Sequence, residues 1–500
     1  MSIHQGNQIV KKLTFSINVY YNELMKIKEI LVIFWTAALV MGTFPLYGEF
    51  APGTIVEKVV CQADPGQSYA LYLPPGYPGD KKWPIIYALD AGARGALPLH
   101  HFKPAAEKYG YIVVGSNNAR NGPWEPIDRS VRAMWSDTRR RFSIDNNRVY
   151  TTGFSGGARM ASIFKYIVKQ QVTGIIACGA GLNTNLKPGM VKPGIYYGMV
   201  GLQDFNYREM MKLDKEFDTA GVVHRILVFD GDHRWPPPEY CLQALEWMEI
   251  NAIKKGLRKK DESLAADLYK KALDRAKNLE QSKNIFYAVS AYEAGEQLFR
   301  GLADVEKFKN KALQLKNSKE YKQFQKEETK RNKKDTECLR LFIRVTTELK
   351  NTILPDLPRL ETVLRELKIR YLQKEANKKG KNADIYDAAL AQRLLTDLRI
   401  KVTQEGSGYL QKGDFHRASL FFEIALRAGN EHPNLIYNLA CVYSLAGNKK
   451  KALDYLRQAV KKGFNNRELI KKDTDLDLIR NEKEFKEIIQ LIERSQNNVQ

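Results

Sequence analysis

The stretch Val149-Tyr150-Thr151-Thr152-Gly153-Phe154-Ser155-Gly156-Gly157-Ala158-Arg159-Met160 decides the fold. Its opening residues are β-branched or aromatic, as in a strand buried on both faces, and the run from Ala158 onward reads as a helix. Between them stands G-x-S-x-G, a sharp strand-to-helix turn that lifts one hydroxyl above the rim of a sheet. Gly153 and Gly157 suit that turn because backbone passes them too closely for a side chain. The helix opening behind Ser155 points free N–H groups at the hydroxyl, where they favour developing negative charge. Ser155 is therefore the candidate nucleophile and the Gly156 N–H the first oxyanion donor. The bland reading of the same residues is a glycine-rich βα turn.

A serine hydroxyl is a poor nucleophile until a base takes its proton, so a histidine and a carboxylate are needed downstream. His233 lies in Phe229-Asp230-Gly231-Asp232-His233-Arg234-Trp235-Pro236, directly after the last expected strand. The other histidines precede Ser155, open a strand or sit in the helical half. Asp204, in Val200-Gly201-Leu202-Gln203-Asp204-Phe205, follows another expected strand and is the candidate acid. Asp230 and Asp232 are its rivals, but a residue adjacent to the histidine does not easily reach round to its Nδ1. The second oxyanion donor belongs to the loop Asp90-Ala91-Gly92-Ala93-Arg94-Gly95, as the N–H of Ala91 or Gly92. Arg94 and Arg159 flank the same mouth as candidate substrate contacts, with an ion pair to Asp90 as the duller role. Asn118, Arg120 and Trp124, after the strand near 112–115, are candidates for the pocket rim, although turn formation alone explains an asparagine there.

Around this core, short apolar runs at 85–89, 112–115, 149–152, 174–178, 195–200 and 225–229 alternate with helical stretches at 104–109, 127–140, 158–169, 208–219 and 239–251. Such alternation predicts a mostly parallel sheet flanked by helices. The elbow GFSGGARMA, the Asp204 loop and the GDHRWPP loop make residues 55–252 resemble an α/β-hydrolase. The similarity is closest to the secreted esterase group of polyhydroxybutyrate depolymerases, feruloyl esterases and enterochelin-type esterases. The resemblance implies ester hydrolysis in two steps through an acyl-enzyme. It also implies an open site for a bulky or polymeric ester, because the segment is too short for a large cap. One departure stands out: many members carry His-Gly where this chain has Asp90-Ala91. That departure motivates an alternative, a scaffold whose hydrolase part has lost activity. A peptidase or acyltransferase built on the same three residues is the third.

The second half has almost no strand signal. Tyr409 and Tyr443, Gly413 and Gly447, Ala418 and Ala452, Phe421 and Tyr455, and Ala425 and Ala459 recur at a spacing of 34 residues. This period resembles tetratricopeptide repeats over 403–464, helix-turn-helix units that pack on their neighbours, with capping helices after Asn466. The resemblance implies a protein partner or substrate recruited by the repeats. Residues 314–335, with interleaved Lys and Glu, read as a solvated helix or linker.

The full organisation is then 1–48 as a signal peptide or N-terminal anchor, 49–255 as the α/β-hydrolase catalytic domain, 256–400 as a helical region of degenerate repeats or linker, and 401–500 as repeats with capping helices. The N-terminal reading rests on ILVIFWTAALVM at 30–41 behind Lys26 and Lys28, with Met25 as an alternative start. That run falls short of the roughly 20 residues a bilayer demands but fits a secretory h-region. Export to the periplasm or medium follows, with membrane attachment only if the segment is retained.

Composition bounds the rest. At 44% hydrophobic and 27% charged, the 500 residues exclude a disordered, collagenous or polytopic membrane chain. The net charge of +22 is concentrated in the helical half. Acids are interleaved with its bases and no aromatic-plus-basic sheet motif appears, so a nucleic-acid partner is rejected. Cys61, Cys178, Cys241, Cys338 and Cys441 lie far apart without a CxxC, so neither a metal site nor a disulfide scaffold is expected, and no cofactor.

Overall fold

The computed structural model describes residues 50–77, 81–169, 172–353, 358–378, 384–429 and 431–497. The expected export segment lies outside them. No described helix is long and apolar enough to cross a membrane.

Eight strands form one sheet in the order β1-β2-β4-β3-β5-β6-β7-β8: β1 (Ile55–Val60), β2 (Ser68–Tyr72), β3 (Trp83–Asp90), β4 (Ile112–Ser116), β5 (Ile144–Phe154), β6 (Gly174–Cys178), β7 (Ile195–Gly201) and β8 (His224–Phe229). From β4 to β8 every pairing is parallel, while β2 is antiparallel to both β1 and β4. The central strands are buried on both faces, which explains their unbroken runs of Ile, Val, Tyr and Ala.

Helices cover both faces. Helix α1 (Ala96–Tyr109) and α5 (Pro238–Lys254) pack Leu99, Phe102, Leu245 and Met248 on one side. Helices α2 (Trp124–Arg141), α3 (Gly156–Val168) and α4 (Tyr207–Ala220) pack Val131, Met134, Phe164 and Phe217 on the other. This mostly parallel sheet with helices on both faces fits the expected α/β-hydrolase architecture. Register places the site: Asp90 pairs with Phe154, Phe154 with Cys178, and Gly201 with Phe229, so the loops after β3, β5, β7 and β8 leave the sheet along one rim.

Two strands, β1 and β2, lie outside the sequence expectation. In β1 (IVEKVV) charged residues interrupt the apolar run, as an edge strand allows, and β2 is only five residues long. Helix α1 starts eight residues before the expected 104, running through Pro104.

Beyond α5 the described chain is helical. Helix α6 (Glu262–Gln281), α7 (Ile285–Phe299) and α8 (Glu306–Lys316) form a core with Phe299, Phe308 and Tyr292. The charged 314–335 segment is mostly the start of α9 (Lys319–Asn351), a helix of 33 residues rather than a linker, with Tyr321, Arg331 and Asp335 buried. Short helices α10 (Leu360–Glu366) and α11 (Ile369–Ala376) lead to α12 (Ile385–Gln411), α13 (Phe415–Arg427), α14 (Pro433–Leu445) and α15 (Lys449–Lys461). Helices α16 (Arg467–Lys472) and α17 (Lys483–Asn497) end the description.

The internal spacing has a structural counterpart. Tyr409 stacks on Phe421 at 5.6 Å and Tyr443 on Tyr455 at 5.5 Å, each nearly coplanar. Gly413 and Gly447 each take a left-handed turn, and the following Asp414 and Asn448 cap α13 and α15 through the N–H of Arg417 and Lys451. Ala418, Ala425, Ala452 and Ala459 are fully buried, where small side chains let the helices approach.

One buried ion pair ties the antiparallel strands to the rest. Asp137 on α2, fully enclosed, accepts from Arg141 Nε at 2.8 Å, Tyr69 Oη at 2.9 Å and the Gln62 N–H at 2.9 Å. Asp137→Ala strands the Arg141 charge and leaves two donors unmet, an expected cost of about 3–5 kcal/mol. A denaturant midpoint no lower than that of the unaltered chain contradicts this.

Candidate active site

Ser155 closes β5 and opens α3 with φ 56° and ψ −121°, a conformation that L residues rarely adopt. Neighbouring backbone holds it there. The Ser155 N–H donates to Cys178 O at 2.8 Å. A Cβ on Gly153 would stand 2.2 Å from Gly157 O, and one on Gly157 would stand 2.0 Å from Leu89 O. No side chain fits at either position, so the glycines are a steric requirement of the turn.

His233 Nε2 lies 2.9 Å from Ser155 Oγ, and His233 Nδ1 lies 2.9 Å from both Asp204 carboxylate oxygens. An ionised carboxylate only accepts, so Nδ1–H donates to Asp204 and Nε2 is left to accept the serine proton. Phe154 and Phe205 hold the imidazole between them, with ring centroids 4.6 and 4.3 Å away. Asp204 is fully buried; burial pushes its carboxyl above the ordinary range, against the pull of the hydrogen bond from His233. The acid and histidine loops are joined by backbone: Leu202 N–H donates to Phe229 O and Gln203 N–H to Gly231 O, both at 2.8 Å. The rivals stand apart, with Asp232 paired to Arg234 and Asp230 exposed.

The two proposed oxyanion positions after β3 differ. Gly92, contrary to the expectation, is engaged: its N–H donates to Asp90 Oδ1 at 2.9 Å and is not free to receive a substrate oxygen. The Ala91 N–H has no hydrogen-bond partner among the described residues, and the Gly156 N–H is in the first turn of α3, where no helical acceptor exists. Asn121 was missed by sequence reasoning although it touches both segments. Its N–H donates to Ala91 O at 2.9 Å, and its Oδ1 lies 1.7 Å from where a Gly156 Cβ would stand. Only its place in an Asn-rich turn offered a signal.

The Asp90 departure has a physical reason. Its carboxylate is fully buried and accepts from Arg94 Nε at 2.8 Å, Arg94 Nη2 at 3.0 Å, Trp235 Nε1 at 2.8 Å and the Gly92 N–H. Trp235 is two residues past His233, so Asp90 fastens the β3 loop to the histidine loop. Burial raises its pKa, but these donors outweigh burial and hold it below the ordinary carboxylate range.

Of the two roles open to Arg94 and Arg159, substrate contact or an ion pair, both take the ion pair, Arg94 with Asp90 as expected and Arg159 with a different acid. Arg94 is the bidentate partner of Asp90, and Arg159 is bidentate on Glu209 at 2.7 and 2.9 Å while also donating to Leu182 O. Asn118 accepts from the Ser68 N–H and donates to Gly66 O, a structural tie to β2. Arg120 pairs through its backbone with Gly92 and is exposed, and Trp124 is 48% exposed at the start of α2.

The helical half reaches the acid loop. Arg393 on α12 donates to Leu202 O and lies over the Tyr207 ring at 4.3 Å, and Arg208 pairs with Asp335 on α9 at 2.8 Å. Nothing in the local sequence announces these contacts.

No curated protein matches the chain. A family described as A/B hydrolase-like, N-terminal domain, matches residues 416–500, on the C-terminal helices and not on the sheet. Among solved structures, the chain is similar to the fluorophosphonate-binding serine hydrolase FphF of Staphylococcus aureus, at 14% identity over 40% of this chain and 99% of that one, TM-score 0.32. It is similar to esterase B of Lactobacillus rhamnosis at 15% identity, over 46% of this chain and 97% of that one, TM-score 0.33. A ferulic acid esterase gives 15% identity, over 38% and 94%, TM-score 0.32.

The lowered Asp90 pKa fixes a sign for stability against pH. A carboxyl held below its unfolded value contributes stability in full above about pH 4 and loses it as pH falls through the folded value. The stability gap between the unaltered chain and Asp90→Asn is therefore expected to be flat from pH 7 to 5 and to shrink below about pH 4. Denaturant midpoints across that range measure it, and a gap that widens in acid contradicts the assignment.

Proposed function

We propose that this chain is a serine hydrolase that cleaves a carboxylic ester through an acyl-enzyme. The observation that carries the reading is the continuous Ser155–His233–Asp204 chain, at 2.9 Å per link, beside two unengaged backbone N–H groups. Ser155 Oγ attacks the ester carbonyl while His233 Nε2 takes its proton, and the carbonyl electron pair moves onto oxygen between the N–H groups of Gly156 and Ala91. Collapse expels the alcohol, which takes the proton back from His233. Water, deprotonated by the same nitrogen, then attacks the acyl carbon; the acid leaves and Ser155 regains its proton. Asp204 stays ionised, holds the imidazole in the required tautomer and stabilises the transient imidazolium.

Ser155 is partly exposed and the His233 side chain keeps 21% of its surface, in keeping with an open mouth and a bulky or polymeric ester. The repeated helices are proposed as a tetratricopeptide module that recruits a protein partner or the substrate, supported by the two equivalent aromatic stacks. Export to the periplasm or medium belongs to the same proposal, resting on the N-terminal sequence alone.

Ser155→Ala is expected to abolish labelling by a fluorophosphonate probe and to lower p-nitrophenyl ester turnover by about 10³-fold or more. Equal turnover by that variant sinks the proposal, and faster cleavage of peptide amides than of esters would move it to a peptidase. Arg393→Ala, which frees the acid loop from α12, is expected to lower kcat by about 10- to 100-fold with little change in KM. Unchanged kcat in a folded variant would reduce the helical contact to a structural role.

A further inference from the structure

A cavity of about 480 Å³ lies between the outermost strand β8, α5 and the α6–α7 hairpin. Neither Ser155 nor His233 lines it. Its size falls within the ~300–1,000 Å³ of small-molecule sites, and its wall is largely apolar, with Leu227, Trp247, Leu268 and Leu298 among the lining side chains. Two arginines also face it, and they differ. Arg275 Nη1 is paired with the buried Glu246 at 2.8 Å, so its charge is answered within the protein. Arg225, projecting from β8, forms no ion pair or hydrogen bond among the described residues, and its Nε is removed from solvent without an acceptor. A donor of that kind is costly to bury unless a ligand accepts from it.

We propose that this cavity binds an amphipathic carboxylate: an unbranched alkyl chain lies along the apolar wall and the carboxylate accepts from the Arg225 guanidinium. A carboxylate, a planar two-oxygen anion, suits the fork of a guanidinium. Nothing in this assignment depends on the serine chemistry, so either reading can fail without the other.

The test is titration of the full chain with sodium decanoate, followed by calorimetry and Trp fluorescence. Saturable binding is expected, weakened at least about tenfold by Arg225→Gln, the loss of one charge-assisted hydrogen bond. Ala294→Trp, which fills the cavity from α7, is expected to block it, while Ser155→Ala leaves it unchanged. Circular dichroism and melting temperature confirm that each variant is folded. Three results overturn the proposal: no saturable binding to the unaltered chain, equal affinity in folded Arg225→Gln, or equal affinity for uncharged decanol. Tighter binding of decyl phosphate than of decanoate overturns the carboxylate and leaves only an anion site.

Discussion

The left-handed backbone at Ser155 is the constraint on which the rest of the site depends. Such a conformation costs about 1–3 kcal/mol and persists only where its surroundings over-determine it. Here the surroundings are the sheet itself. The Ser155 N–H is tied to Cys178 O on β6, while Gly153 and Gly157 press against the backbone of α3 and β3. The strain is repaid in geometry: the hydroxyl stands clear of the strand, and the next N–H, of Gly156, is left without a helical partner beside it. One local distortion thus supplies both the proposed nucleophile and one of the two proposed anion-binding N–H groups.

Two buried carboxylates share the rim, and their environments drive them in opposite directions. Asp204 is dominated by burial and its pKa rises; Asp90 is surrounded by donors and its pKa falls. The difference suits their positions. Asp204 faces one imidazole that must hold a single tautomer, whereas Asp90 answers a full guanidinium and an indole N–H. Asp90 lies immediately before Ala91, so its bonds to Arg94, Trp235 and the Gly92 N–H also fix where the Ala91 N–H sits.

What was legible in the sequence was what repeats or excludes side chains. The glycines of the elbow, the strand–helix alternation and the spacing of Tyr409 and Tyr443 all leave periodic or steric traces. The edge strand β1 escaped because an edge tolerates Glu57 and Lys58 in a strand, which erases the apolar run, and its neighbour β2 because five residues leave only a short one. Gly92 was indistinguishable from Ala91 because the choice between them depends on a carboxylate that turns back on its own loop. The Arg94 partner, Asp90 in the same loop, was legible four residues away, whereas the Arg159 partner, Glu209 on α4, is 50 residues off and leaves no local trace. Arg393 is 191 residues from Leu202, a separation over which a single sequence carries no pairing signal.

That last contact changes how the two halves relate. A sheet domain and a helical domain joined only by a linker would each keep their own geometry, and interfaces of that kind leave relative motion as the default. Here Arg393 donates to a carbonyl two residues before Asp204, and Arg208, four residues after it, pairs with α9. The acid loop is therefore held at both ends by helices encoded far downstream. In the proposed reaction Nδ1 of His233 must stay within hydrogen-bond reach of Asp204 for the imidazole to keep its tautomer, and a shift of about 1 Å would be enough to cost rate. Rigid attachment to α9 and α12 is a direct way to suppress that shift, and it makes the helical half part of the site's support rather than an appendage.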